Sequence, residues 1–226
     1  MKTFIQIVSI CACMVGSAFA ADPTPAEAEK GLKSALGSIV DQALAVSSDA
    51  KATSSELSIA LPEKLQKLES TLRGLGQGQL MDDFKAKVKK VAMDTLPLTK
   101  DAFKGETSGV KVEDPMTVLK AAPDGLTNFT KQKTRQPILT KVQPLIAAKS
   151  KESGLAASYQ AMVAKAGPMA SAMFGKEPPA NLEQSVTEQT VDFVYGQMGK
   201  GEAALRANPS LSKDALVKKL FSAVKK

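Results

Sequence analysis

The apolar residues of this chain recur at helical spacing almost from end to end, and nowhere do they alternate as a half-buried strand requires. Leu61, Leu65, Leu68, Leu72 and Leu75 step by fours and threes. Leu32, Leu36, Ile39, Ala43 and Val46 do the same, and so do Leu80, Phe84, Val88 and Val91. Such stripes must each be covered by another helix. The chain is therefore expected to be all-α, a single-domain multi-helix bundle with kinked helices, without internal repeats.

Local signals place the ends of these helices. Thr24, Pro25 and Glu27 read as N-cap, first helical position and capping box of a helix that ends near Val46. Ser47 to Ser58 is small and polar, as in an exposed loop, and Ile59 to Leu61 runs extended into Pro62. Gly74 and Gly76 stop the leucine-rich helix. The next begins at once, with Lys85, Lys87, Lys89 and Lys90 on its solvated side. Pro97 breaks it or opens a helix carrying Leu98, Ala102 and Phe103, and Gly105 to Gly109 reads as a loop. Asp114 before Pro115 is a second capping signal. Helices are expected over Asp124 to Lys133, Arg135 to Lys151 with a kink at Pro144, Leu155 to Ala166 and Leu182 to Met198. A last helix is capped by Ser212, with Leu211 and Leu216 as a hydrophobic staple. Gly167 to Asn181 is the longest irregular stretch. It holds Pro168, Pro178 and Pro179, but also Met169, Met173 and Phe174, and reads as a mobile flap whose Phe174 packs on an apolar seam between helices.

The N-terminus has the form of an export signal: Lys2, an apolar run from Phe4 to Val15, and Ala18-Phe19-Ala20 as an A-x-A cleavage site. Residues 1–20 are expected to be removed, leaving one domain over 21–226. A lipid-modified Cys11 or Cys13 is the rival reading, with only about seven apolar residues ahead of the cysteine. Cleavage discards both cysteines, and the chain has no histidine at all. No disulfide, thiol nucleophile or imidazole then remains, and no cofactor or metal is expected.

Removing the leader takes Lys2 and no acid, so the formal charge falls from +7 to +6. The excess is lysine, for the arginines are Arg73, Arg135 and Arg206, and there are two tyrosines and no tryptophan. Nucleic acid favours guanidinium forks and aromatic stacking, so no nucleic-acid partner is expected. A lysine surface serves solubility first, and at most a weak attraction to anionic membrane surfaces.

Enzyme motifs are weak. Ser-x-x-Lys occurs at Ser48, Ser108 and Ser222 without the companion elements of a penicillin-binding site. Glu69-Ser70 and Glu152-Ser153 match the acid-bearing dipeptide of lytic transglycosylases, but the Gly-Leu-Met-Gln element of those enzymes follows neither. Met162, Met169 and Met173 suggest a soft-metal site only if packing does not claim them. The acidic pairs Asp82-Asp83 and Glu113-Asp114 lack calcium-loop spacing and read as first-turn and capping acids.

The stretch Leu61-Pro62-Glu63-Lys64-Leu65-Gln66-Lys67-Leu68, continuing through Leu72-Arg73-Gly74-Leu75-Gly76-Gln77-Gly78 to Asp83-Phe84, resembles the domain of unknown function 4197 family. So do Gly31-Leu32 with Ala35-Leu36, Pro123-Asp124-Gly125 with Phe129 and Lys133-Thr134, and Arg206, Asn208 and Pro209. The chain departs from the family pattern at Lys89-Lys90, where members carry Asn-Arg. The resemblance implies an exported, Gram-negative periplasmic protein with an all-helical domain. It brings no catalytic residues.

The candidate binding residues are Arg73, Gln77, Asp83 and Phe174. Arg73 beside Gly74, Gly76 and Gly78 could hold a carboxylate or phosphate, or instead close the helix end and pair with Asp82 or Asp83. In the second case its loss would break a partly buried network, at about 1 to 3 kcal/mol. The function expected is non-enzymatic: binding of an apolar or amphipathic ligand such as a lipid, or of an envelope protein. The alternative is a metal-independent, glycan-cleaving hydrolase or lyase using a Glu acid, or a Ser/Lys pair. A raised carboxyl pKa in a cleft would mark it.

Overall fold

The computed structural model describes residues 23–224, and no strand occurs among them. The export signal and the mature start near Ala21 lie outside the described residues. The first helix, α1 (Pro25–Ser48), opens on the expected capping box: the Thr24 amide donates to Glu27 Oε2 at 3.0 Å, and the Glu27 amide to Thr24 Oγ1 at 3.3 Å. Its buried face runs through Leu32, Leu36, Ile39 and Ala43. Gly31 lies where α1 meets the last helix, α11 (Ala215–Val224). A Cβ there would come within 2.0 Å of Leu220 Cδ1, so only glycine lets the two axes approach this closely.

Ser47 to Ser58 is not a loop. Asp49 caps a short helix, α2 (Ala50–Glu56), by accepting from the Lys51 and Ala52 amides, and buried Thr53 donates its hydroxyl to the carbonyls of Val46 and Ser47. Small polar residues read as loop because the same side chains cap helices. The leucine stripe forms α3 (Glu63–Gly74), with Leu65, Leu68 and Leu72 fully buried. Leu75 falls beyond the helix end and stands exposed. There Gly76, at φ 70°, donates to Arg73 O and Gln77 donates to Leu72 O, the paired bonds of a Schellman stop.

Helix α4 (Gly78–Thr95) buries Phe84, Val88 and Val91, and a 3-10 turn at Leu96–Thr99 leads into α5 (Lys100–Ser108). Leu98 is exposed, whereas Ala102 and Phe103 are buried as expected. Helix α5 runs through Gly105 to Ser108 rather than stopping, because buried Thr107 bonds back to Phe103 O and holds the last turn. Asp114 caps α6 (Pro115–Lys120) as read, accepting from the Thr117 amide.

The two helices expected across residues 124–151 are one, α7 (Gly125–Glu152), 28 residues long with Pro137 and Pro144 inside it. Both prolines are exposed, so the carbonyls they free can turn to water. Helix α8 (Leu155–Lys165) follows. Next comes α9 (Pro168–Phe174), two turns of helix inside the stretch expected to be irregular. Helix α10 (Leu182–Ala207) continues well past Met198, through Gly199 and Gly201, because Gly201 sits in the crossing with α1 near Gln42 and Ile39. The last helix is capped by Asp214, which accepts from the Leu216 and Val217 amides, rather than by Ser212. Leu211 is exposed and makes no staple.

Helix α10 is central: it lies along α7 over the greatest length and against α1 over the next greatest. One contiguous core results, including Leu32, Ile39, Phe84, Phe103, Tyr159, Val194 and Phe221. None of the described helices is long and apolar enough to cross a membrane.

Candidate functional site

The turn after α3 binds its arginine to its own acids. Arg73 Nε donates to Glu69 Oε1 at 2.9 Å and Nη2 to Asp82 Oδ1 at 2.6 Å, and the side chain lies across Gly78, where a Cβ would meet Nη1 at 2.9 Å. Lys85 also donates to Glu69, and this ammonium, then the Arg73 guanidinium, holds the Glu69 carboxyl below its ordinary range. Asp83 instead accepts from Gln79, and Gln77 contributes its backbone amide to the helix stop. Because the Arg73 side chain is 48% exposed, the network is not the partly buried one expected from sequence. Arg73→Ala is therefore expected to cost about 1 kcal/mol or less. Thermal unfolding checks this, and a loss above about 2 kcal/mol would show a deeper structural role.

Phe174 lies far from that turn in sequence and is buried at the end of α9. Its carbonyl accepts the Tyr159 hydroxyl at 2.9 Å. Met162 is buried, whereas Met169 and Met173 point outward, so the three thioethers do not share one site.

Sequence reasoning missed a groove between α7 and α10. A cleft of about 580 Å³ is lined by Pro123, Asp124, Thr127, Asn128 and Lys131 from the α7 side, and by Asp192, Tyr195, Gly196, Gly199, Lys200 and Ala203 from α10. A second hollow of about 500 Å³ shares Asn128 and Lys131 and extends along Gln132, Arg135 and Gln136. Pro123-Asp124 ends the turn into α7, and i, i+3, i+4 spacing then brings Thr127, Asn128 and Lys131 to one side.

The cations of the groove are partly committed. Arg135 grips Asp192 with two bonds of 3.0 and 2.9 Å, and Lys131 reaches the same carboxylate at 2.9 Å. The Arg135 guanidinium, then Lys131, keeps the Asp192 carboxyl below its usual range. Lys200 pairs with Glu56. Beneath them the Tyr195 hydroxyl shares a 2.7 Å hydrogen bond with Thr134, and burial pushes the phenol up to about 12.

Three polar groups of the groove have no partner among the described residues. The side chains of Asp124 and Asn128 make no hydrogen bond or ion pair, and Thr127 Oγ1 is buried and unbonded. The floor is bare as well. A Cβ on Gly196 would meet nothing within 4 Å, and one on Gly199 would make only ordinary contact with Asp124 Cβ at 3.5 Å.

The groove has a rigid base. Glu202, fully buried, caps α7 by accepting from the Leu126 and Thr127 amides at 2.9 and 2.7 Å. Arg206 bonds Glu202 and also the Leu119 and Val118 carbonyls that end α6. Arg206, whose Nη2 would lie 4.0 Å from a Cβ on Gly125, and Asp124, the residue before that glycine, are two of the residues that carried the family resemblance, and both stand at the start of α7.

The features that would mark an enzyme are placed otherwise. The carboxyls whose ionisation is clearly displaced, Glu27, Glu56, Glu63, Glu69, Asp114, Asp192 and Asp214, all move downward and stay ionised. Glu152 pairs with Lys149 at 2.7 Å. Lys87 does hydrogen-bond Ser158 across α4 and α8, but the Ser158 amide is spent on Gly154 O, and neither residue lines the groove.

The chain matches the family described as "Protein of unknown function (DUF4197)" over residues 22–222, and it belongs to that family. No curated protein and no solved structure matches it.

Proposed function

We propose that this is an exported, periplasmic protein that performs no chemistry and binds an amphipathic molecule in the α7/α10 groove. The observation that carries this reading is the bare Gly196 in the groove floor, one turn before Gly199. A glycine inside a helix costs roughly 0.5 to 1 kcal/mol relative to alanine. Close helix packing explains Gly31 and Gly201, but Gly196 faces open space. A ligand lying against the α10 backbone gives that space a use. Its apolar body would rest on Gly196, Gly199, Ala203 and the edge of Tyr195. Its head would meet Asp124 and Asn128, which suit hydroxyl or ammonium donors, with Lys131 and Lys200 near any phosphate. A head of mixed charge, as in a zwitterionic lysophospholipid, fits these groups better than a fatty acid does.

Gly196 supplies the test. Gly196→Ala adds a methyl group in open space and is expected to raise stability by about 0.5 to 1 kcal/mol. Gly196→Leu should fold as well but fill the groove. Native mass spectrometry of protein taken from the periplasm should then find an amphiphile on the natural chain and none on Gly196→Leu. Retention by Gly196→Leu would reject the groove. So would a natural chain that carries no adduct and whose melting temperature added lysophospholipid does not raise.

A further inference from the structure

Helix α9 leaves two large apolar side chains standing in water. Met169 is 79% exposed and Met173 64%, one helical turn apart, while Ala170 and Phe174 on the adjoining face are buried. The helix is held in that pose from both ends. Gly167 (φ 94°, ψ 178°) and Gly175 (φ 78°, ψ 175°) take conformations that only glycine adopts readily, and the Tyr159 hydroxyl pins the carbonyl of Phe174. A loosely packed loop would hide its methionines; this segment is shaped to present them.

The surroundings say what they are presented to. Lys165, four residues before Met169, and Lys176, three after Met173, are exposed and make no ion pair among the described residues. The neighbouring carboxylate, Glu177, accepts from Gln160. The exposed positions of α9 are Pro168, Met169, Ala172 and Met173, with none of the Trp, Tyr or Arg anchors that carry binding energy at protein interfaces. Flexible thioethers between two bare ammonium groups suit a fluid apolar phase under a layer of negative charge. We propose that α9 is a docking element for an anionic lipid bilayer, Met169 and Met173 entering the headgroup boundary while Lys165 and Lys176 lie against phosphates. This contact does not depend on the α7/α10 groove.

The test is flotation of the protein purified from periplasm with vesicles of mixed phosphatidylglycerol and phosphatidylcholine, and with phosphatidylcholine alone. Binding is expected to the mixed vesicles and to weaken about tenfold or more on the neutral ones or at high salt. Lys165→Glu with Lys176→Glu should lose binding by a similar factor. Met169→Ser with Met173→Ser should lose at least as much with an unchanged melting temperature, because neither side chain is part of the core. Equal binding by the methionine variant, equal binding to neutral vesicles, or no binding to the mixed ones would overturn the proposal. So would sedimentation showing that the same two methionines join two copies of the chain instead.

Discussion

Arg206→Ala is expected to cost about 3 to 5 kcal/mol, the scale on which one partner of a buried ion pair is missed. Glu202 has no exposure to solvent and accepts four hydrogen bonds, two from the first amides of α7 and two from the guanidinium. Without Arg206 the carboxylate keeps only the two amides of α7 as donors in a site closed to water. The carbonyls of Val118 and Leu119 lose their donor as well, and the guanidinium no longer lies over the Phe221 ring, 5.1 Å away. For a chain of this length the loss corresponds to a fall in melting temperature of roughly 6 to 20 °C. Glu202→Gln combined with Arg206→Met should cost less than the two single changes added together, because the double variant buries no unpaired charge. A drop below about 1 kcal/mol for Arg206→Ala would show that water reaches Glu202 and that α6, α7 and α10 are not locked there.

The sequence carried almost nothing of this pair. Glu202 and Arg206 are four apart on a helix, as are Glu63 and Lys67 or Lys90 and Asp94, and the latter two pairs are exposed ones worth a few tenths of a kcal/mol. What separates them is cover supplied by α6 and the start of α7, elements distant in sequence, together with Phe221 of α11. The signals that did read correctly are those whose partners sit within three or four residues: the Thr24 and Glu27 capping box, the Asp114 cap, the Gly76 stop and the stripe of Leu65, Leu68 and Leu72.

The misreadings share a cause. Ser47 to Ser58, Gly105 and the end of α10 were expected to be non-helical on composition, and packing or back-bonding by Thr53, Thr107 and Gly201 made them helical. The groove was hidden in the same way. Gly199 reads as a helix stop until one sees that Glu202 and Leu205 continue the buried face of α10. That continuation was the available signal. Two glycines three apart inside an unbroken amphipathic pattern ask for a close neighbour, and here no part of the chain supplies one for Gly196.

Phe174→Ala distinguishes an anchor from a displaceable lid. The sequence reads Phe174 as packed on an apolar seam under a mobile flap, from which a bound amphiphile would displace it. In the fold the ring is 3% exposed, and the residue's carbonyl holds Tyr159, which is itself fully buried and stacked at a tilt against Phe84 at 6.3 Å. Removing a buried phenyl ring costs about 3 to 5 kcal/mol where the whole fold must bear the cavity. Here the loss has a ceiling, because α9 packs chiefly on α8 and α3 and can undock by itself. The expected result is a loss of about 3 kcal/mol, with amides of residues 168–175 exchanging much faster while those of α7 and α10 keep their protection. Equal loss of protection in α10 would mean that α9 is welded into the global folding unit. A cost below about 1 kcal/mol with lipid-dependent protection of the segment would restore the lid, and move the site of amphiphile binding from the α7/α10 groove to the seam beneath Phe174.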